Sequence, residues 1–190
     1  YTYNNIDYSW YQVEYKGKKG FIVGGLLSLK RIKENDHVFL FSLRKEKKED
    51  HQVILLTRVI DNAQLIEEKE FRLSGNEFEL SLLGNNGLPR LDNILKVDYF
   101  SEACGQEGGY TYIFWFENEL THIADLSQIV DADIYSFSEE FKFIGDKIKF
   151  TRVSYVLEDE ESKHEVTREV SLELTWDGEK LTPEIPKFSD

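Results

Sequence analysis

The 190-residue sequence contains no methionine, one cysteine and three prolines, and its 36 acidic residues outnumber its 23 basic ones. A single cysteine excludes an internal disulfide, so cysteine usage does not indicate a redox compartment. The formal net charge of −13 opposes binding to a phosphate backbone, and no stripe of Lys and Arg interleaved with aromatic residues offsets it. We therefore expect no nucleic-acid partner.

Long apolar runs are also missing. No segment of the sequence is long and apolar enough to span a bilayer as a helix, so we expect no membrane insertion by this chain. The chain begins at Tyr1 and lacks methionine, which leads us to expect a processed or trimmed product.

Strand-forming residues are abundant. Val, Ile, Phe, Tyr and Thr crowd into short alternating runs separated by Asn, Gly and Asp, and this pattern predicts an all-β fold built as an antiparallel meander. The predicted strands after residue 30 are Val38–Leu43, Val53–Ile60, Leu65–Leu73, Phe78–Leu83, Ile94–Phe100, Tyr110–Phe116, Glu119–Ile123, Ile134–Phe137, Ile148–Leu157, Glu169–Trp176 and Lys180–Pro183. One short helical turn is predicted at Leu126–Val130.

A weak internal repeat accompanies these strands. Asp36, Asp92 and Asp146 each precede an apolar strand, and their spacings are 56 (92 minus 36) and 54 (146 minus 92). Three hairpin-based repeats are predicted from this spacing, at 36–84, 92–145 and 146–187. Units of this length fit either propeller-like blades or a sandwich, and the pattern leaves both open.

The opening stretch from Trp10 to Leu29 alternates apolar and polar residues around Gly17 and Gly20, which predicts a hairpin. Its pattern resembles the C-terminal half of bacterial Src-homology-3-like domains. The resemblance implies a partial segment of that fold at 1–30, lacking its first strands, followed by an all-β domain at 31–190.

Taken whole, the chain resembles a family of Bacteroidetes-type envelope proteins for which no activity is established. The similarity lies in this opening segment, in the stretch Glu102–Tyr112 and in Trp115. It implies export to the periplasm or cell surface and a binding role. We expect this role to be non-catalytic and to need no cofactor. The implied partner is a cell-wall peptide, a glycan or another envelope protein.

Aromatic residues near the hairpin are the first candidates for ligand contacts. Tyr8, Trp10, Tyr11 and Tyr15 lie close together in sequence, and alternation along a strand sends neighbouring side chains to opposite faces. Some of these rings should therefore be exposed, as in surfaces that bind peptides or sugars, while others build the hairpin itself.

Cys104 suggests an alternative, a cell-wall hydrolase or hydrolase accessory that uses this thiol or an acidic loop. A nucleophilic cysteine needs a lowered pKa, yet Glu102 and Glu107 lie close to Cys104 in sequence and oppose thiolate formation. His122, on a predicted neighbouring strand, is the nearest histidine in sequence. A structural or incidental cysteine is the interpretation that this environment favours.

A second alternative is a calcium-stabilised structural module. Asp125, Asp131 and Asp133 fall within nine residues and could offer oxygen ligands to calcium, although their spacing is not that of an EF-hand. An acidic loop that caps turns explains the same residues. The four histidines lack the spacing of a zinc site.

Overall fold

The computed structural model describes residues 1–46, 53–100, 107–131, 134–159 and 164–187. The predicted all-β class is confirmed: every strand pairs antiparallel to its neighbours, and the helical structure in the described residues is one 3₁₀ turn at Gly24–Leu26. Within these residues, no helix is long and apolar enough to cross a membrane. The strands are β1 (Thr2–Tyr3), β2 (Ile6–Asp7), β3 (Trp10–Tyr15), β4 (Lys18–Val23), β5 (Lys30–Glu34), β6 (His37–Lys45), β7 (Val53–Asp61), β8 (Gln64–Arg72), β9 (Phe78–Leu82), β10 (Asn93–Tyr99), β11 (Gly108–Phe116), β12 (Glu119–Asp131), β13 (Tyr135–Ile144), β14 (Lys147–Asp159), β15 (His164–Trp176) and β16 (Leu181–Thr182).

The chain forms two compact units, Tyr1–Asn76 and Glu77–Asp190. The first unit contains the hairpins β1–β2 and β3–β4 and a four-stranded sheet in the order β5-β6-β7-β8. The hairpin predicted around Gly17 is confirmed, and the positive φ angles of Lys16 (50°) and Gly17 (74°) form its turn. A Src-homology-3-like relationship for residues 1–30, and the boundary after them, stay predictions.

The second unit is one eight-stranded meander in which β9 to β16 follow each other in sequence order. This sheet bends over on itself, because the rings of Phe114 in β11 and Trp176 in β15 lie 5.0 Å apart although three strands separate β11 from β15. The interior between the two halves is aromatic and aliphatic, and it includes Tyr112, Phe141 and Phe150. Two layers of one bent sheet thus share a core.

The predicted repeats 92–145 and 146–187 lie within this single sheet. The ladder between β13 and β14 joins them, running from Tyr135 paired with Val156 to Ile144 paired with Lys147. The described strands of both ranges therefore belong to one continuous sheet, and the repeat itself stays a prediction.

The short helical turn predicted at Leu126–Val130 is wrong, because these residues belong to β12. The segment pairs with β11 through Leu126 to Gln128 and with β13 through Gln128 to Asp131. Both neighbouring strands supply hydrogen-bond partners to the backbone, which stabilises an extended conformation over one isolated helical turn.

Candidate functional site

The candidate site is a cavity in the second unit where β12 separates from β13. β12 pairs with β11 from Glu119 to Gln128, whereas it pairs with β13 only from Gln128 to Asp131. Before Gln128 the two strands diverge, and a cavity of about 560 Å³ opens between them. Its lining consists of Glu107, Ile123, Ala124, Asp125, Ser127, Ile129, Tyr135, Phe137, Glu139, Arg152, Ile185, Pro186 and Lys187.

The divergence follows from the length and the irregularity of β12. The strand contains 13 residues, and its register against β11 shifts so that Tyr112 faces Ala124 while Ile113 faces His122. Such a bulge adds one residue, bends the strand and increases its twist. One end of β12 can then pair within the β11 half of the bent sheet and the other end within the β13 half.

A buried ion pair forms the floor of the cavity. Glu139 and Arg152 lie opposite each other in the β13–β14 ladder, and their side chains are 8% and 11% exposed. Arg152 Nε donates to Glu139 Oε1 at 2.8 Å, and Arg152 Nη2 donates to the carbonyl oxygen of Pro186 at 2.7 Å. The other carboxylate oxygen, Glu139 Oε2, accepts the backbone N–H of Ser127 at 3.0 Å. Each charge is therefore matched by a partner.

Aromatic rings hold the Arg152 guanidinium in place. Its Cζ lies 5.4 Å from the ring centre of Phe150 and 6.0 Å from that of Phe137. Contacts of this kind combine cation–π attraction with burial of the side-chain stem. The floor is consequently fixed by packing as well as by charge.

The carboxyl-terminal segment contributes one wall. Ile185 packs against the core of the second unit and also lines the cavity, as do Pro186 and Lys187. The hydrogen bond from Arg152 to Pro186 ties this segment to the floor. The wall therefore depends on the same arginine as the floor does.

A polar chain runs along the rim through Asp125. Its Oδ1 accepts the hydroxyl of Thr111 at 2.5 Å, its Oδ2 lies 3.0 Å from His122 Nε2, and Tyr99 Oη lies 2.9 Å from Thr111 Oγ1. The hydrogen bond to Asp125 raises the pKa of His122 and outweighs the opposing effect of burial. Burial raises the pKa of Asp125, but the hydrogen bonds from His122 and Thr111 together lower it by more than burial raises it, so the net change is downward.

The predicted aromatic contacts lie in the first unit and do not form one platform. Trp10, Tyr11 and Tyr15 are exposed, at 58%, 53% and 71%. Alternation along β3 places Trp10 on one face and the two tyrosines on the other. The Trp10 ring lies 5.9 Å from that of Tyr1, edge to face. The role of these residues in ligand binding stays a prediction.

Tyr8 differs from the other three because it is half-buried. Its hydroxyl donates to the carbonyl oxygen of Leu43 at 3.5 Å, and burial, with a smaller effect from Tyr3, raises its pKa. A Cβ at Gly24 would lie 2.8 Å from the Tyr11 ring and 3.2 Å from the Tyr8 ring, so the backbone passes directly beneath these rings. Packing within the first unit therefore accounts for part of this aromatic cluster.

The candidate calcium ligands are only partly described. Asp125 engages Thr111 and His122, Asp131 ends β12, and Asp133 lies outside the described residues. No group of three or more His, Cys, Asp or Glu side chains suited to a metal ion is found in the described ranges. Cys104, the candidate nucleophile, also lies outside them. The calcium and hydrolase alternatives stay predictions.

Sequence reasoning missed Glu139 and Arg152. A signal was present, because Glu139 interrupts the alternating apolar series Phe137, Phe141 and Phe143, and Arg152 follows Phe150 on the same face. A charged residue at an inward position of such a series is unusual unless it is paired. Arg152 lies on the predicted strand Ile148–Leu157, whereas the predicted strand Ile134–Phe137 stopped short of Glu139, so the pairing of the two charges was not recognised.

No family model, no curated protein and no solved structure matches this chain.

Proposed function

We propose that this protein is a non-catalytic, exported binding protein of the bacterial cell envelope, and that the cavity between β12 and β13 holds its ligand. The observation that carries this proposal is a cavity of about 560 Å³ with apolar walls and a few fixed polar groups. Ligand sites typically have volumes of about 300–1,000 Å³ and this mixture of walls. Export and an envelope location rest on the resemblance of the sequence.

The carboxylates that line the cavity support binding over catalysis. A general acid or base works best with a pKa near the operating pH. The pKa of the rim carboxylate Asp125 is shifted downward, away from neutrality, and Glu139 is held by Arg152 in an ion pair. These groups are suited to orienting a ligand and to keeping the walls in place.

The ligand belongs to the classes that the cell envelope offers: a cell-wall peptide, a glycan or a segment of another envelope protein. Trp10, Tyr11 and Tyr15 offer additional exposed aromatic surface on the first unit, with Tyr8 beside them. The cavity carries the primary contact in this proposal, because a concave site removes more apolar surface from water than exposed rings do.

The test uses two neighbouring residues of β12. Ile129 lines the cavity, whereas Val130 is 60% exposed and does not line it. Synthetic stem peptides, chitohexaose and peptides from envelope proteins are titrated by calorimetry against the wild type, Ile129→Trp and Val130→Trp. We expect one class to bind the wild type and Val130→Trp, and to lose at least tenfold in affinity for Ile129→Trp.

Melting curves of both variants show whether they are folded. The proposal fails if no class binds the wild type. It also fails if Ile129→Trp binds as the wild type does while Trp10→Ala and Tyr15→Ala abolish binding.

The hydrogen bond between His122 and Asp125 favours a second candidate, a hydrolase in which His122 activates a nucleophile. Labelling of Cys104 with a thiol-reactive probe across pH distinguishes the two. A thiol pKa well below about 8.5 supports the hydrolase, and an ordinary value supports the binding protein.

A further inference from the structure

Resting on the proposed function, we infer that the ligand is an extended peptide that adds as a strand to the open edge of β12. In this complex an apolar side chain of the peptide enters the cavity, and a basic side chain faces Asp125 and Glu107 at its mouth. Peptide binding by strand addition uses main-chain hydrogen bonds for affinity and side-chain pockets for selectivity.

The first step of the argument is the edge itself. Residues 120–127 of β12, apart from the bulged Ile123, are paired with β11 on one side, and the ladder to β13 on the other side starts only at Gln128. Within the described part of the chain, this edge therefore has no strand along it. An edge strand presents a row of backbone N–H and C=O groups that a second strand can pair with.

The direction of the backbone groups follows from Ser127. Its N–H points away from β11, because it donates to Glu139 Oε2 at 3.0 Å. Backbone groups alternate between the two edges of a strand, so the N–H and C=O of Asp125 also face the open edge. The carboxylate of Glu139 accepts the N–H of Ser127, as the backbone carbonyl of a pairing strand would. The ladder between β12 and β13 ends at this point, and the cavity begins beside it.

The second step is the cavity beside this edge. Ile129, Phe137 and Ile185 provide an apolar lining of a size suited to one or two side chains. Residues of an added strand alternate in direction, so every second side chain can enter the cavity while its neighbours remain at the mouth.

The third step is charge. Glu107 and Asp125 line the cavity, Lys187 opposes them with one positive charge and His122, when protonated, with a second, and Arg152 is matched by Glu139. The Asp125 side chain is about half exposed, and the whole chain carries −13. A basic peptide is attracted to such a field, whereas a second copy of this acidic chain is repelled.

The probes are heptapeptides with blocked ends that alternate lysine with valine around a central phenylalanine, and counterparts with glutamate in place of lysine. Two further versions of the lysine peptide carry N-methyl groups on alternate amides, in one or the other set. Affinities are measured by calorimetry for the wild type, Ile129→Trp, Val130→Trp and Asp125→Asn.

Strand addition predicts an asymmetric result for the methylated peptides. One set of amides faces β12, so its methylation should weaken binding at least tenfold, whereas the other set should be tolerated within about threefold. The glutamate peptide and Asp125→Asn should each weaken binding, and Ile129→Trp should abolish it. Val130→Trp should have no effect.

The outcomes separate the inference from the proposed function. Strand addition would be overturned if the two methylation patterns weakened binding equally. It would also be overturned if high salt abolished binding while the methyl groups and the substitutions left it unchanged. If chitohexaose binds in the cavity and no peptide does, this inference fails and the proposed function stands. If neither a peptide nor chitohexaose binds the wild type, both fail.

Discussion

The hairpin β3–β4 and the strand pair β10–β11 are both rich in aromatic and aliphatic residues, and their surroundings are opposite. β3 alternates these residues with polar ones, whereas β11 contains the continuous apolar run Tyr112–Phe116. Val23 is the only buried residue in β3 and β4, whereas most residues on both faces of β10 and β11 are buried. The continuous run in β11 is typical of a strand that is covered on both faces. The alternation in β3 does not determine how much of either face is covered, because coverage comes from residues distant in sequence.

This difference decides what an aromatic side chain contributes. In the second unit aromatic rings fill the interior between two layers, while in the hairpin they remain in contact with water. The hydrophobic contribution to stability scales with the apolar area removed from water. Matched substitutions in the two regions should therefore have very different costs.

The largest expected difference is between two phenylalanines. Phe114→Ala removes a fully buried ring that packs 5.0 Å from Trp176, and it should cost about 3–5 kcal/mol of unfolding free energy. Phe21 is 71% exposed, so Phe21→Ala should change stability by no more than about 0.5 kcal/mol. Urea unfolding followed by circular dichroism measures both. Equal costs would show that the hairpin is covered in solution.

Two ion pairs extend the comparison to charge. Arg152→Met leaves Glu139 charged in a buried position, and it should cost about 3 kcal/mol. Arg58→Met breaks an exposed pair with Glu68 in the first unit, and it should cost no more than about 1 kcal/mol. The double variant Glu139→Leu with Arg152→Leu should be more stable than Arg152→Met, because no charge is left unpaired. A double variant less stable than Arg152→Met would contradict this account.

Two glycines test how closely the backbone is packed. Gly109 lies in β11 with φ of 131°, and a Cβ there would overlap the carbonyl oxygen of Leu126. Gly109→Ala should therefore cost about 2 kcal/mol. Gly20 in β4 has open space around the same position, so Gly20→Ala should be neutral or stabilise by about 0.5 kcal/mol. Thermal unfolding of both variants measures the difference, and a destabilised Gly20→Ala would be the contrary result.

The smallest expected effect is on the pH dependence of stability, and it comes from His122 and Asp125 at the rim of the cavity. The pKa of His122 is raised in the folded state, so its contribution is complete below its unfolded pKa and is lost as pH rises through the folded value. The pKa of Asp125 is lowered, so its contribution is complete above its unfolded pKa and is lost as pH falls through the folded value.

The pair should therefore stabilise the protein most between about pH 4 and 6.5. His122→Gln should lose at most about 1 kcal/mol in this window, because both side chains are about half exposed, and less at pH 9. Urea unfolding at pH 5.5 and pH 9 measures the loss of stability. In the control, His122→Gln is made in the Asp125→Asn background, where this loss should disappear. A loss that grows with pH would have the wrong sign.

Local pattern was sufficient for much of the fold. The predicted strands between Val38 and Trp176 fall at or close to observed strands, since alternation and turn residues act over a few positions. The strand β5 was missed because Lys30, Arg31 and Lys33 weaken its apolar signal. The extension of β12 through Leu126–Val130 depends on β11 and β13, which short-range pattern does not include.

The candidate site was harder to predict than the strands. Asp125 was identified as a possible ligand, but its partner Thr111 reaches it only through the β11–β12 ladder. Its partner His122 lies three residues earlier in β12, on the other side of the bulge. The cavity exists because β12 and β13 diverge, and this divergence depends on a bulge in β12 and on the packing of the two halves of the sheet. Neither has a short sequence signature, so the exposed hairpin aromatics were the more visible candidates.

The most direct test of the account is an NMR titration of the isotope-labelled protein with the lysine–valine heptapeptide, following backbone amides and the Trp10 indole. We expect the largest chemical-shift changes at Ile123, Asp125 and Ser127 along the open edge of β12, and no change at the Trp10 indole. Changes centred on Trp10, Tyr11 and Tyr15, with β12 unaffected, would contradict the assignment of the site to the cavity.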